Sequence, residues 1–184
     1  MEHSPNHNYP PRWKKDEKME AIKDMHVSPL GVELIKGYEK CELRAYADSG
    51  GVYTIAWGNT FYTDGRRVKK GDTITKAQAD ELFKLVLPKF ELAVKEKIKR
   101  NLLQQEFDSA VCFAYNAGVA YKSGGKWKDY NLWHNINTGL TGDAMRNYWQ
   151  TLATTAGGVQ LKGLVRRRKS EVHMYLTGEL DFFE

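Results

Sequence analysis

The stretch GVELIKGYEKCELRAYADSGGVYTIAWGNT, residues 31–60, is where the pattern of the sequence changes from helical to extended. Its first residues continue a helix that we predict to begin after Ser28, a good N-cap followed by a proline suited to the first helical turn. Residues 44–62 are rich in Tyr, Val, Thr, Ile and Trp and are broken at glycine-containing turns. This pattern predicts a short antiparallel meander directly after a helix that ends near Lys40.

Helical patterns dominate the rest of the chain. Thr75 and Gln78 predict a capping box, and the apolar stripe that follows contains Pro88, which should kink or divide the helix. Further helices are expected near residues 104–117, 130–138, 141–153 and 163–177. We therefore predict an α+β fold that is mostly helical, with one small sheet near the front.

The composition is that of one globular domain with an excess of positive charge. The chain has 184 residues, 41% of them hydrophobic, and a formal net charge of +5. Residues 1–26 are polar, proline-containing and balanced in charge, and we predict a flexible leader there, followed by a domain over residues 27–184. The positive charge of that domain suits an anionic partner.

Signals for a membrane span, for secretion and for a metal are weak in this sequence. No apolar stretch reaches the roughly 18 residues that span a bilayer, and the N-terminus lacks the apolar segment of a secretory signal. His3 and His7 could be metal ligands, but no third ligand is in register, which favours incidental histidines of the leader. Cys41 and Cys112 are interpreted either as buried thiols or, outside the cytosol, as a disulfide pair.

Three side chains around the predicted meander are candidates for catalysis. Glu39 lies at the end of the first predicted helix, whereas Asp48 and Thr54 lie in the segment that follows. A helix end and a returning sheet can bring two carboxyl groups and a hydroxyl to one cleft. Glycoside hydrolysis uses such a pair, one carboxylic acid to protonate the leaving oxygen and one carboxylate as base or nucleophile. The alternative interpretation is that both acids are solvated surface residues.

The same stretch resembles the front of the phage-type lysozymes, glycoside hydrolase family 24. In that family the catalytic triad has the spacing Glu-x8-Asp-x5-Thr, which falls here on the three candidate residues. The resemblance continues through residues 68–83, 104–119 and 163–178. It therefore covers about residues 28–178, nearly all of the chain except the predicted leader.

The resemblance implies a lysozyme-like fold, with a cleft between a small β lobe at about residues 43–62 and a helical lobe at about residues 75–178. It implies inverting hydrolysis of the β-1,4 bond between N-acetylmuramic acid and N-acetylglucosamine in peptidoglycan. Glu39 would be the general acid, and Asp48 and Thr54 would position the attacking water. It also implies a monomer without a cofactor, held in the cytoplasm of the producing or host bacterium before it acts on the periplasmic side of the cell wall.

The resemblance also suggests supporting residues. Arg167 falls where the family has an arginine that pairs with the catalytic glutamate, although residues 166–169 could instead be a solvated basic face. Tyr115 and Asn116 fall at the cleft edge of the family, where they would contact saccharide, and Tyr115 fits a core position equally well. Trp57, beside the strand of the triad, is a candidate for stacking on a sugar ring.

Two segments depart from the family pattern. Lys40 replaces the glycine that usually follows the catalytic glutamate, and we expect its ammonium group to point to solvent. The segment Ala56-Trp57-Gly58-Asn59 replaces a usual Gly-aromatic-Gly-His, which removes a histidine that could form a structural ion pair. These changes concern the shape of the cleft more than the reaction.

Two other classes of function compete with a muramidase. One is a cell-wall-binding protein that keeps the fold without activity, which the joint presence of the three candidate catalytic residues disfavours. The other is a nucleic-acid binder, suggested by the Arg-Arg-Arg-Lys run at residues 166–169. Basic runs alone are non-specific, and no nucleic-acid-binding motif accompanies this one.

Overall fold

The computed structural model describes residues 18–47, 51–156 and 158–183. Six α-helices lie in these segments, together with a short 3₁₀ helix at Ile22–Asp24. The helices are α1 (Pro29–Tyr38), α2 (Lys76–Lys97), α3 (Gln104–Ala117), α4 (Asn131–Asn137), α5 (Gly142–Trp149) and α6 (Lys162–Thr177). The strands are β1 (Glu42–Ala47), β2 (Tyr53–Ala56), β3 (Ala120–Ser123), β4 (Lys126–Asp129), β5 (Thr155–Ala156) and β6 (Val159–Gln160). The predicted α+β class with mostly helical content is confirmed.

The first helix begins where the sequence predicts. The Ser28 hydroxyl accepts a hydrogen bond from the Gly31 amide at 3.2 Å, as an N-cap does. Ser28 is in turn held by Asp108 of α3, which accepts from the Ser28 amide at 2.9 Å and from its hydroxyl at 2.5 Å. The cap therefore fixes both the start of α1 and its position against α3.

The β lobe is a hairpin of β1 and β2, as the pattern of residues 44–62 predicts. The strands pair antiparallel, with Tyr46 opposite Thr54. The segment that follows crosses the outer edge of β1, where the Ala45 amide donates to the Asp72 carbonyl at 2.9 Å. β1 is therefore held on one side by β2, which carries Thr54, and on the other by the segment that follows the hairpin.

The helical lobe is built around α3, whose residues 106–114 are all buried. Apolar side chains of this run pack in the same core cluster as those of α2, α4, α5 and α6. Its two buried acids, Glu106 and Asp108, have hydrogen-bond partners, since Glu106 accepts from the Leu103 amide and from Arg100. A helix that is apolar on several sides is typical of the centre of a bundle.

Two details of the fold differ from the sequence predictions. Of the two predicted effects of Pro88, a kink or a division, the division is wrong, because α2 runs without interruption from its Thr75–Gln78 capping box. Two hairpins, β3–β4 and β5–β6, occur where only helices and loops were expected. Glu20 and Leu102 also exchange backbone hydrogen bonds at 2.9 and 3.2 Å, which join the segment before α1 to the segment before α3.

Candidate active site

Glu39 caps the C-terminal end of α1. Its amide donates to the Ile35 carbonyl at 3.1 Å, so the backbone leaves the helix at this residue and directs the side chain away from the helix axis. The carboxylate oxygen Oε1 accepts from Nη1 of Arg167 at 2.5 Å. The Glu39 side chain is 24% exposed, so this carboxyl group is held by one buried partner and still reaches solvent.

Arg167, on α6, is 3% exposed and has its charge shared among several acceptors. Besides Glu39, it donates from Nε to Oε1 of Glu171 at 3.1 Å and from Nη2 to the Cys112 carbonyl at 3.0 Å. Burial works against its charge, but Cys112, Glu171 and Glu39 together raise the pKa of the guanidinium. Arg167 therefore stays charged beside Glu39, and the prediction that the two residues pair agrees with this geometry.

Glu171 is the residue of this network that the sequence prediction missed. It is fully buried and accepts from Arg167, from Nη1 of Arg168 at 2.5 Å and from Nε1 of Trp149 at 3.0 Å. The only local signal was its spacing, three and four residues after two arginines on one helix. The charges alternate along Glu39, Arg167, Glu171 and Arg168, so the network pairs two acids with two bases.

Of the other two members of the proposed triad, Thr54 lies within the described residues. It is on β2, 5% exposed, and its hydroxyl donates to the Val52 carbonyl at 3.2 Å. Asp48 lies outside the described residues, between the end of β1 and the start of β2. The structure thus describes the strands before and after Asp48. The catalytic role of Asp48 and the distance between its carboxyl group and that of Glu39 remain predictions.

Asn116 lies at the exposed end of α3. Its Oδ1 accepts a hydrogen bond from Nη2 of the fully buried Arg168, which fixes the orientation of the amide. The buried charge network therefore reaches the surface at two points, at Glu39 and at Asn116. An oriented amide at the protein surface suits a contact with a sugar hydroxyl.

Tyr115 combines a core contact with a polar one. Its ring packs against Phe90, with centroids 4.7 Å apart, and its hydroxyl donates to the Trp57 carbonyl at 2.6 Å. Burial, reinforced by the negative charge of Glu39, raises the pKa of Tyr115. Tyr115 thus links α3 to the β lobe, which agrees with the core interpretation, and its saccharide contact remains a prediction.

Trp57 is 6% exposed and lies in the hydrophobic core. The ammonium groups of Lys76 and Lys36 lie 4.1 and 4.8 Å from its ring centroid, and Phe83 meets it edge-on. A sugar ring could stack on Trp57 only if these contacts opened. Its burial therefore disfavours the predicted stacking role.

The departures from the family pattern leave the local shape intact. Ala56 takes the left-handed conformation, with φ of 57°, that a glycine would adopt more easily. Asn59 is buried and donates from its amide to the Leu82 carbonyl at 3.1 Å, so this side chain ties the turn to α2. Lys40 is exposed and pairs with Glu42 at 2.5 Å, so its ammonium group points to solvent as expected.

The two cysteines are free thiols. Cys112 is buried in α3 beside Arg167 and Glu171, and burial raises the pKa of its thiol. Cys41 is half-buried next to the end of α1. The predicted alternative of a disulfide is therefore wrong for this structure, and the buried-thiol interpretation holds for Cys112.

Neither a metal site nor a membrane-spanning helix is found within residues 18–47, 51–156 and 158–183. No group of three or more His, Cys, Asp or Glu side chains in these segments is arranged to hold a metal ion. None of their helices is both long and apolar enough to cross a bilayer. The histidines of the predicted leader, His3 and His7, lie outside the described residues.

Comparison with known proteins gives a consistent set of relatives. The endolysin of Bacillus phage B103 is 31% identical over 157 residues, which cover 84% of this chain and 56% of that relative. Among solved structures, the endolysin from Escherichia coli O157:H7 phage FAHEc1 superposes with a TM-score of 0.72 at 33% identity, covering 86% of this chain and 98% of that one. The muramidase domain of SpmX from Asticaccaulis excentricus superposes with a TM-score of 0.64 at 26% identity, covering 83% and 98%.

The chain spans little more than half the length of the curated relatives that it matches first, 56% of the Bacillus phage B103 endolysin and 60% of that of Lactococcus phage c2. The family model described as phage lysozyme matches residues 36–171, a range that contains Glu39, Thr54 and Arg167. Since this match includes well over half of the sequence, the chain belongs to the phage lysozyme family.

Proposed function

We propose that this protein hydrolyses the β-1,4 bond between N-acetylmuramic acid and N-acetylglucosamine in peptidoglycan. Glu39 is the general acid, and Asp48 and Thr54 position the water that attacks from the other face of the sugar, with inversion. No cofactor takes part. The protein acts as a monomer on the cell wall from its periplasmic side, after release from the cytoplasm of the producing or host bacterium.

The observation that carries this proposal is the way in which Glu39 is held. One carboxylate oxygen, Oε1, is fixed by Arg167, and among the described residues Oε2 has no hydrogen-bond partner. The side chain is partly exposed at the end of α1, three residues before the first strand of the β lobe. A fixed carboxyl group with one oxygen accessible to substrate is the arrangement that proton transfer to a glycosidic oxygen needs.

The guanidinium that holds Glu39 is not committed to this carboxylate alone. Arg167 is shared with the buried carboxylate of Glu171, and Glu171 is in turn shared with Arg168.

The relatives support the same reaction class, since they include several phage endolysins and the muramidase domain of SpmX. The alternative, an inactive wall-binding protein on the same fold, would bind sacculi without releasing fragments.

Digestion of purified sacculi tests the proposal. Released fragments are separated before and after borohydride reduction, and the reducing sugar is identified. We expect reducing N-acetylmuramic acid ends to accumulate with time. Reducing N-acetylglucosamine ends would assign the cut to the other bond, and an absence of new ends with intact binding would favour the inactive wall-binding protein.

A further inference from the structure

The hairpin β3–β4 extends from the helical lobe directly after α3. Ser123 pairs with Lys126 across a two-residue turn of Gly124 and Gly125, both with positive φ, which is the tight turn that suits a twisted hairpin. Its base is fixed to the core, because Tyr121 packs on Tyr130 with ring centroids 5.0 Å apart. The hairpin is therefore a fixed projection of the lobe.

One face of this hairpin carries an exposed aromatic ring. The register places Trp127 opposite Lys122, and side chains of directly paired residues lie on the same face of a sheet. Trp127 is 72% exposed, the highest value among the large hydrophobic residues in the described part of the chain. A rigid indole so accessible on an ordered strand suits contact with a flat apolar surface of a partner.

The hairpin is also positively charged. Lys122, Lys126 and Lys128 are exposed, and none of them forms an ion pair within the described segments. The one acid of the strands, Asp129, is neutralised by Lys97 of α2, whose ammonium group lies 2.7 Å from its carboxylate. Lys122 therefore shares the face of Trp127, Lys126 and Lys128 lie on the opposite face, and none of the three has a compensating acid in the strands.

The hairpin continues the surface of the candidate active site. β3 begins at Ala120, and the preceding helix α3 ends beside Asn116, where the buried charge network reaches the surface. A glycan strand that passes the end of α3 would next meet the hairpin. Peptidoglycan strands offer groups that an exposed indole and lysine side chains can bind. Sugar rings have flat apolar faces, and stem peptides carry carboxylates.

We infer that the β3–β4 hairpin, with Trp127 and Lys122 on one face and Lys126 and Lys128 on the other, is a second binding surface for peptidoglycan, outside the cleft. The inference rests on the proposed function for the identity of the glycan. A bilayer fits this hairpin less well, because its tip is Ser123-Gly124-Gly125-Lys126 and offers no apolar side chain to insert beyond the single indole.

Cosedimentation with insoluble sacculi at 4 °C tests this inference. The full-length chain is compared with Trp127→Ala and with the triple variant Lys122→Gln/Lys126→Gln/Lys128→Gln. The matched control Lys23→Gln/Lys69→Gln/Lys70→Gln removes the same charge from exposed lysines elsewhere. We expect each hairpin variant to bind sacculi about tenfold more weakly than the control does.

Two further measurements make the result decisive. Cleavage of a soluble tetrasaccharide, which is too short to reach the hairpin, should stay within about twofold of wild type in both hairpin variants. Vesicles of phosphatidylglycerol and phosphatidylcholine should bind the hairpin triple variant and the charge-matched control equally, and should bind Trp127→Ala as they bind wild type. The inference would be overturned if the control triple variant lost as much sacculus binding as the hairpin variants do. It would also be overturned if the hairpin variants lost binding to vesicles but not to sacculi.

These outcomes are separate from those of the proposed function. If wild type bound sacculi through the hairpin but released no fragments, the hydrolytic proposal would fail and the binding surface would stand. If it cleaved sacculi and the hairpin variants bound as well as wild type, the binding surface would fail and the hydrolytic proposal would stand.

Discussion

At the scale of single residues, the central feature is a chain of buried charges that ends at Glu39. Arg167, Arg168 and Glu171 are almost completely buried, and each has at least two partners among the others or their neighbours. Burying an ion pair costs desolvation, and removing one partner leaves an uncompensated charge. The network therefore fixes Glu39 through residues that lie beneath the surface.

Arg167→Met tests this arrangement. It leaves Glu171 with one fewer cation and Glu39 without its fixed position, so we expect the free energy of unfolding to fall by about 3 kcal/mol in urea. The matched control Arg166→Met removes an exposed arginine from the same helix, and its effect should stay within about 0.5 kcal/mol. Equal effects of the two substitutions would show that the buried pairs do not stabilise the fold.

The sequence predicts this network only in part. The pairing of Arg167 with Glu39 follows from the family resemblance, because the spacing of both residues matches. The burial of Glu171 does not, since the segment Arg-Arg-Arg-Lys-Ser-Glu looks like a solvated face when it is considered alone. Its partner Trp149 comes from α5, and such long-range contacts are not visible in local periodicity.

At the scale of elements, the tail, which is the segment of residues 178–183 after α6, supports the end of α1. The ring of Phe182 lies directly on Gly37, where a side chain as small as a methyl group would collide with it, and its centroid is 5.5 Å from that of Tyr38. Tyr38 has two further contacts. Its hydroxyl forms a hydrogen bond with the Ser170 hydroxyl at 2.5 Å, and the Arg167 guanidinium lies 5.8 Å from the centroid of its ring. The tail therefore contacts the residue that precedes Glu39.

Phe182→Ala should remove this support. We expect the free energy of unfolding to fall by about 1–2 kcal/mol, from the loss of apolar contact area. Turnover of sacculi should fall as well, because Tyr38 lies between the tail and Arg167. Leu92→Ala, at a more exposed apolar residue of α2, is the control and should change neither quantity appreciably. A Phe182→Ala variant with lower stability but wild-type turnover would show that the tail stabilises the fold without affecting the candidate active site.

The elements differ in how well their sequences predict them. The first helix and the β1–β2 hairpin have caps, periodicity and turn glycines that all agree. Hairpin β3–β4 was missed because its short strands are mostly polar and offer no continuous apolar face that would mark a strand. The tail has no regular pattern, and only its contacts with α1 reveal that Phe182 has a place in the fold.

At the scale of the whole molecule, polar side chains of the helical lobe fix the chain that leads to the site. Glu91 of α2 accepts from the Val27 amide at 2.8 Å, and Asp108 of α3 holds the cap of α1. Burial raises the pKa of Asp108, against the hydrogen bonds from Ser28 and Gln104. The order of the helices was predictable from periodicity, whereas these hydrogen bonds depend on residues more than 60 positions apart.

The most direct test of the account is the turnover of sacculi by Glu39→Gln. The amide keeps an oxygen that can accept from Arg167, so the free energy of unfolding should change by less than about 1 kcal/mol. It cannot donate the proton, so the release of reducing ends should fall by about 100-fold or more. The control Glu33→Gln, at an exposed residue of the same helix, should keep wild-type turnover. A folded Glu39→Gln protein that releases reducing ends at the wild-type rate would contradict the account.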